Sequence, residues 1–231
     1  MSTNAATPSG PRVLVLGRPG SGKGTQCGRL AEQLGVPHIS TGDLFRATVA
    51  LDTPLGRILR EYMDAGDLVP DDLVLDIVDD HLGADGAARG FVLDGFPRTV
   101  PQAEQLFDLL DPYPLDLAID LVVSAEVARE RLTRRIVCGD CGRPTDPEVT
   151  DDSGPCGECG GQLTVRGDDD ASTVSRRLAL HDELTAPLLA WLDAQDLVTR
   201  VDGLGSTEEV AARIDAACAP LSYSDYSDVA S

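Results

Sequence analysis

The chain has 231 residues, of which 42% are hydrophobic and 25% are charged, a mixture typical of a globular protein. Thirty-nine acidic residues against nineteen basic ones give a formal net charge of −20, which opposes binding to the phosphate backbone of DNA or RNA. No apolar run approaches the roughly 20 residues that span a bilayer, and residues 1–11 lack the order of a signal peptide. We therefore expect a cytoplasmic protein without nucleic-acid or membrane partners.

Short apolar runs alternate with helical patterns along the chain. Residues 1–10 are predicted to form a flexible leader and residues 222–231 a flexible tail. Because strands that alternate with helices form a parallel sheet covered on both faces, the sequence predicts an α/β fold. The predicted strands are 13–16, 91–93, 117–123 and 197–201, and the predicted helices are 22–34, 71–81, 100–110, 125–135, 173–192 and 207–219.

Two segments interrupt this alternation. Residues 41–70 contain two helical patterns with no strand between them, and residues 136–167 are rich in Gly, Cys, Pro and Asp. The second segment therefore predicts a small module inserted in the sheet. The core is then expected to consist of residues 11–40, 71–135 and 168–221.

The segment GRPGSGKGT, residues 17–25, has the spacing of a phosphate-binding loop, with a glycine, four residues and then Gly-Lys. Backbone N–H groups of such a loop surround a phosphate, and the following helix adds a favourable dipole. Lys23 is the single lysine among nineteen basic residues, and a compact ammonium suits this position better than a guanidinium. Gly24 departs from the usual Ser or Thr. The alternative is a glycine-rich turn without a ligand; the expected phosphate-binding residues are Gly20, Ser21, Gly22, Lys23, Gly24 and Thr25.

A second segment, FVLDGFPR at residues 91–98, carries a buried strand that ends in Asp94. This carboxylate is predicted to lie at the carboxyl edge of the sheet beside residues 17–25. Such an aspartate holds Mg2+, usually through water, because Mg2+ keeps much of its hydration. An ordinary turn at the strand end is the alternative.

Two C-x-x-C motifs, separated by fourteen residues, lie in the inserted segment 136–167. This spacing is close to that of a zinc ribbon. Four thiolates fill a tetrahedral zinc and leave no position for water, so the predicted metal is structural. Two disulfides or four free thiols are the alternatives, and iron in place of zinc stays open. The predicted ligands are Cys138, Cys141, Cys156 and Cys159.

The remaining cysteines and the histidines show no pattern typical of a site. Cys27 and Cys218 lie in predicted helices and are expected to be buried packing residues. His38, His81 and His181 have no ligand-like spacing, and no role is predicted for them.

The segments GRPGSGKGTQ, ISTGDLFR, MDAGDLVPDDLV, FVLDGFPRTVPQA and TAPL resemble bacterial adenylate kinases of the long-lid form, in order and in spacing. The resemblance covers residues 12 to about 219. It implies the P-loop nucleoside monophosphate kinase fold, with residues 41–70 as the AMP-binding insertion and residues 136–167 as a zinc-ribbon-like lid. It also implies a monomer that transfers the γ-phosphoryl group of MgATP to AMP and gives two ADP, in adenine nucleotide homeostasis.

The resemblance implies the residues of the AMP side. Arg46 and Arg98 would clamp the AMP phosphate, since a guanidinium matches phosphate oxygens in a bidentate way. Gln102 would read the adenine edge with its amide. The further AMP-side residues implied are Thr41, Asp67, Leu68, Val69 and Gly95.

The resemblance also implies the residues of the ATP side. Arg131 would pack on the ATP base, and Arg135, one helical turn later, is expected on the same face. Arg166 and Arg177 would close with Arg135 around the transferring phosphoryl group. The catalytic set implied is Lys23, Arg98, Arg135, Arg166 and Arg177.

Two further features flank the inserted segment 136–167. Asp168 and Asp169 stand where the family has paired aspartates that help to hold the lid closed. Arg134 stands where many relatives have glycine, and Ile136 stands at a position that is often basic. No role is predicted for Arg134.

Two rival functions stay open. The acceptor could be UMP, CMP or GMP, although Gln102 and the four-cysteine lid favour AMP. Alternatively, a zinc-ribbon nucleic-acid-binding module could be fused to a P-loop ATPase. That arrangement requires a basic ribbon, whereas Arg143 is the single basic residue among several acidic ones in residues 138–159.

Overall fold

The computed structural model describes residues 10–111, 114–145 and 154–221, apart from the side chains of residues 84–88. The predicted tail and all of the predicted leader except Gly10 lie outside these residues. Gly10 itself is buried, and a Cβ atom there would lie 2.4 Å from the Arg89 carbonyl oxygen.

The described part of the chain contains strands and helices that alternate except in the two inserted segments and around residues 71–89 and 186–193. The strands are β1 (Arg12–Leu16), β2 (His38–Ser40), β3 (Phe91–Asp94), β4 (Leu117–Val122), β5 (Ile136–Cys138), β6 (Pro144–Thr145), β7 (Leu163–Val165) and β8 (Val198–Asp202). The helices are α1 (Lys23–Leu34), α2 (Thr41–Ala50), α3 (Pro54–Ala65), α4 (Asp71–Arg89), α5 (Val100–Leu110), α6 (Ala125–Thr133), α7 (Ala171–Leu180), α8 (Ala186–Asp193) and α9 (Thr207–Cys218). A π-helical segment, His181–Thr185, joins α7 to α8.

Five strands form the central parallel sheet, in the order β2–β3–β1–β4–β8. Alternate residues of β1 are buried on opposite faces. Val13 and Val15 pack with α1 and α9, whereas Leu14 and Leu16 pack against the helices of the other face. The predicted α/β fold with a parallel sheet between helices is therefore confirmed.

The register brings the chemistry to one edge of this sheet. Asp94, the last residue of β3, pairs with Val15 of β1 and with Ser40 of β2. The chain leaves β1 at Leu16 and enters α1 through a glycine-rich loop. Because the strands are parallel, their carboxyl ends and the loops that follow them meet at this edge.

The predicted elements differ from the structure at four places. Strand β2 is not among the predicted strands, because its three residues are too few to show an apolar pattern. Helix α4 continues beyond His81 to Arg89, with a break at Gly83. Helix α6 ends at Thr133 rather than at residue 135, and the predicted helix 173–192 is divided by the π-helical segment.

The two inserted segments form structures of their own. Residues 41–70 contain α2 and α3, which pack against each other. Residues 136–167 contain a small antiparallel sheet in the order β6–β5–β7, with Ile136 opposite both Thr145 and Val165. Within the described part of the chain, every helix is too short or too polar to cross a membrane.

Candidate active site and metal centre

A cleft of about 390 Å3 opens at the carboxyl edge of the central sheet. The glycine-rich loop, the end of β3, the inserted helices and the inserted small sheet all contribute to its walls. Of the nucleotide-binding residues predicted from the sequence, all except Ser21 line it. Ser21 is a buried member of the loop, and its carbonyl oxygen accepts a hydrogen bond from Arg131 at 3.3 Å.

Glycines let the loop at residues 17–25 pack closely against the rest of the fold. Gly17 and Gly20 both have positive φ angles, of 138° and 84°. A Cβ atom at either position would lie 2.5 Å from a backbone carbonyl oxygen, of Leu121 and of Ala128 respectively. Any side chain at these positions would therefore deform the loop.

The Lys23 ammonium lies inside the curve of this loop. Its Nζ atom donates hydrogen bonds to the carbonyl oxygens of Gly17, at 2.7 Å, and Arg18, at 2.9 Å. Burial lowers the pKa of Lys23 to about 8, although the nearby Asp94 carboxylate acts in the opposite direction. The ammonium is thus a partly desolvated charge, which strengthens its attraction for an anion.

The Asp94 carboxylate forms the floor of the cleft next to the loop. Thr41 Oγ1 donates a hydrogen bond to the Asp94 carbonyl oxygen at 3.3 Å. A Cβ atom at Gly24 would lie 3.5 Å from Asp94 Oδ2, so the glycine leaves this carboxylate open to the loop. Asp94 therefore supplies negative charge and oxygen atoms at the centre of a site otherwise rich in positive charge.

Arg98 and Gln102 form a network on the other wall of the cleft. Arg98 Nε donates to the Gly95 carbonyl oxygen at 2.7 Å, and burial lowers the pKa of the guanidinium. Gln102 Oε1 accepts from the Arg98 backbone N–H at 2.7 Å, and its Nε2 donates to Asp71 Oδ1 at 2.6 Å. The amide thus orders the loop that carries Arg98, a contact that the sequence did not predict.

The remaining predicted residues of this wall lie on and after the inserted helices. The Arg46 guanidinium forms an ion pair with Asp43, one turn earlier in α2. Asp67 lies 2.8 Å from Arg176 Nε in an exposed ion pair that joins the end of α3 to α7. Arg46 and Asp67 are therefore both engaged in surface ion pairs. Such pairs are weak and exchange readily.

Arginines from three parts of the chain meet a half-buried aspartate, Asp168, and a buried one, Asp169, near the inserted sheet. Arg135 donates twice to Asp169, at 2.7 and 2.6 Å, and Arg177 Nη1 lies 3.1 Å from Asp169 Oδ1. Asp168 lies 2.8 Å from Arg166 Nε and 3.3 Å from Arg177 Nη1. The aspartates hold the guanidinium groups at the edge of the cleft.

Arg131 and Arg135 both line the cleft, but not as members of one helical face. Because α6 ends at Thr133, Arg135 lies beyond the helix. Arg131 Nη2 donates instead to the Gly203 carbonyl oxygen at 3.1 Å. Arg134 forms an exposed ion pair with Glu130 at 3.1 Å.

We expect Asp169→Asn to lower the free energy of unfolding by about 3 kcal/mol, because the Asp169 side chain is 1% exposed and Arg135 and Arg177 would each lose an ion-pair partner. The exposed pair offers a matched control, since Arg134→Gln should cost less than about 1 kcal/mol. Urea unfolding of both variants measures the difference. Equal costs would show that Asp169 is not the centre of this cluster.

The four predicted metal ligands form a compact cluster on the inserted sheet. Their Sγ atoms all lie within 4.8 Å of one another, with Cys138 and Cys159 at 3.5 Å and Cys141 and Cys156 at 3.8 Å. A tetrahedral zinc with Zn–S bonds of about 2.3 Å requires edges of about 3.8 Å. The cluster is therefore compatible with a closed four-thiolate metal centre, and all four cysteines are free thiols in this structure rather than members of disulfides. Cys27 and Cys218 lie elsewhere and are buried, as expected.

The π-helical segment forms a wall of the cleft that the sequence did not predict. His181 lines the cleft, and burial lowers its pKa to about 4. Thr185 Oγ1 donates to the Arg98 carbonyl oxygen at 3.3 Å, and Asp182 accepts from Arg18 of the loop at 2.8 Å. The segment thus links both walls of the site. No local pattern distinguishes a π-helical turn, although TAPL at its end belongs to the matched motifs.

Comparisons with known proteins agree with this geometry. The family model described as adenylate kinase matches residues 15–197. Adenylate kinase of Acidothermus cellulolyticus is 46% identical over 89% of this chain and 97% of its own length. Those of Carboxydothermus hydrogenoformans and Bacillus subtilis are 44% and 43% identical, over 88% and 87% of this chain and 97% and 95% of their own lengths. The chain therefore belongs to the adenylate kinase family and is an enzyme that transfers phosphoryl groups between adenine nucleotides.

Proposed function

We propose that the chain catalyses the reversible, magnesium-dependent transfer of the γ-phosphoryl group of ATP to AMP, giving two ADP, and that it does so as a cytoplasmic monomer. The observation that carries this proposal is the single cleft shared by the Lys23 loop, Asp94 and Arg98. These groups lie on neighbouring strands or the loops that follow them, so a donor and an acceptor phosphate can face each other there.

The ATP phosphates would bind in the loop at residues 17–25. The N–H groups of the loop and the start of α1 favour an anion, and Lys23 would exchange its two carbonyl partners for phosphate oxygens. Arg131 would contact the ATP base. The contacts of Arg131 with the carbonyl oxygens of Ser21 and Gly203 hold its guanidinium at this end of the cleft.

AMP would bind between the end of β3 and the inserted helices. Arg98 is half-buried and is held by the Gly95 carbonyl oxygen, so its position requires little reorganisation before it contacts a phosphate. Arg46 would leave its exposed partner Asp43 to bind the same phosphate. Gln102 would contact adenine with the hydrogen-bonding capacity that its two internal bonds leave, since an amide has two donors and two lone pairs.

The reaction requires no covalent intermediate. Phosphoryl transfer proceeds through a loose transition state, so alignment and charge neutralisation supply most of the acceleration. We expect Arg135, Arg166 and Arg177 to surround the transferring group when the inserted segments 41–70 and 136–167 close. Closure would exclude water, which otherwise competes with AMP as acceptor.

Asp94 fits the magnesium ion that accompanies ATP. Its carboxylate lines the cleft beside Gly24, and carboxylate oxygens are the ligands that Mg2+ prefers. When bound, the ion neutralises part of the phosphate charge. Asp94 would orient the ion, usually through water molecules that the ion retains.

The four-cysteine cluster would hold a structural zinc. The four thiolates would complete a tetrahedral ion and leave no position for substrate or water. The ion would tie the end of β5 (Cys138) and the turn after it (Cys141) to the turn before β7 (Cys156 and Cys159), so its contribution is to the folding of the lid. It would take no part in the reaction.

An acceptor screen tests this function. With MgATP as donor, AMP should give a kcat/KM at least about 10-fold higher than CMP, UMP or GMP, since a buried polar group left unpaired by the wrong base costs 1 kcal/mol or more. Formation of ADP is measured with a coupled assay for each acceptor. Equal use of another monophosphate would favour the rival assignment, in which Gln102 does not read adenine.

A further inference from the structure

A second group of metal-ligating side chains lies outside the four-cysteine centre. Cys27 of α1, His38 of β2 and Asp94 of β3 bring a thiol, an imidazole and a carboxylate together. One possible ligand atom from each lies within 4.8 Å of the other two. Three different elements thus converge on one point beneath the glycine-rich loop.

The imidazole of His38 has a ring nitrogen whose hydrogen-bonding capacity the surrounding described residues do not satisfy. Its Nε2 atom is buried and has no hydrogen-bond partner in the described part of the chain. The nearest opposite charge is Asp94 Oδ2, at 3.8 Å, beyond hydrogen-bonding distance. A buried ring nitrogen without a partner is costly, and ligation of an ion would satisfy it.

The cleft gives an ion access to this group. Asp94 lines the cleft, and so do Gly24 and Ser40 beside it. Because residue 24 is glycine, no side chain stands between the loop and Asp94 Oδ2. Cys27 itself is fully buried, so an ion would enter past Asp94 and meet the thiol last.

The donor set is selective for zinc-class ions. Sulfur, imidazole nitrogen and carboxylate oxygen are all ligands of Zn2+, whereas Mg2+ prefers oxygen alone. Tetrahedral ligands around Zn2+ lie about 3.3–3.8 Å apart, so small side-chain rotations suffice to close the group around an ion. Zinc displaces the proton of a thiol as it binds.

We propose that Cys27, His38 and Asp94 form a second metal site, at which a zinc-class divalent ion binds and inhibits the enzyme. The ion occupies the carboxylate that would otherwise orient magnesium, so inhibition is competitive with MgATP. The inhibitory part rests on the proposed function, whereas the binding part does not.

Binding is tested on the holoenzyme with its four-cysteine centre filled. After equilibrium dialysis against buffered micromolar Zn2+, the unaltered chain should hold one more zinc than Cys27→Ala or His38→Gln. Cys218→Ala is the matched control, because it removes another buried thiol and should retain the additional zinc. Melting temperatures check that each variant is folded. No additional zinc in the unaltered chain, or equal zinc in all four proteins, would overturn the site.

Inhibition is tested by ADP formation with excess Mg2+. Zn2+ should raise the KM for MgATP of the unaltered chain, and the chelator EDTA, added briefly, should reverse the effect. Cys27→Ala and His38→Gln should be active without added zinc. Each should require a zinc concentration at least about 10-fold higher for the same inhibition, which corresponds to a loss of about 1.4 kcal/mol of zinc-binding free energy. Equal inhibition of the unaltered chain and both variants would indicate that Zn2+ acts by binding ATP rather than the protein, and it would overturn the inhibitory site. An inactive unaltered chain that still binds the additional zinc would overturn the proposed function and leave the site standing.

Discussion

Replacing Lys23 by arginine is expected to lower kcat for phosphoryl transfer by about 100-fold or more while leaving the fold intact, a loss comparable to that of one preorganised charge-stabilising group. The ammonium lies within 2.9 Å of two carbonyl oxygens inside the curve of the loop. A planar guanidinium keeps the charge but does not fit this space, because the loop packs closely at Gly17 and Gly20. A coupled assay for ADP and thermal unfolding measure the two effects.

The pH profile supplies a second readout for the same residue. Because the pKa of Lys23 is about 8, the ammonium is charged below that pH and loses its proton above it. The kcat/KM for ATP of the unaltered chain should therefore fall above about pH 8, since this ratio reports the free enzyme. Lys23→Arg should lack this limb, because a guanidinium stays protonated.

The exposed residue Arg57 provides the control for this exchange. Its side chain is 58% exposed, and Arg57→Lys should leave activity and stability unchanged. If Lys23→Arg were as active as this control, Lys23 would not be a phosphate ligand.

The second large effect concerns the lid and separates stability from chemistry. Cys156→Ser should release about one zinc per chain, because three thiolates no longer fill the tetrahedron. Structural zinc contributes on the order of 10 kcal/mol to the folding of small peptides, and a lid inserted in a stable sheet should lose a smaller part of that. We expect a lower melting temperature, with activity that survives at low temperature.

Metal content, unfolding and ADP formation should be measured on one chelated sample and on Cys156→Ser. Cys218→Ala serves as the control, since Cys218 is buried in α9 away from the four-cysteine cluster and should retain the zinc. Loss of activity with no change in unfolding would contradict a structural role and indicate a catalytic metal.

Much of the architecture could be predicted because its signals are local. The apolar run at 13–16 specifies a strand within a few residues, the glycines of the loop specify a turn, and the C-x-x-C pairs specify a compact group of thiols. Helix α5 begins and ends at the predicted residues, since Thr99 caps it and Pro101 lies in its first turn. Such signals depend little on the rest of the fold.

The contacts that complete the site could not be predicted, because they depend on distant residues. The bond of Gln102 to Asp71 joins residues 31 positions apart, and that of Thr185 to Arg98 joins residues 87 apart. The convergence of Cys27, His38 and Asp94 likewise requires the parallel register of β2 and β3. His38 shows no ligand spacing in the sequence because its neighbours in space belong to other elements.

The central claim is tested most directly by phosphorus NMR of the purified chain with Mg2+, ATP and AMP. The spectra follow the donor, the acceptor and any free phosphate in one sample. The proposed function predicts that each ATP and AMP consumed give two ADP, that adding ADP alone regenerates both, and that inorganic phosphate does not accumulate. Steady release of inorganic phosphate with AMP unchanged would contradict it and identify the cleft as an ATPase site.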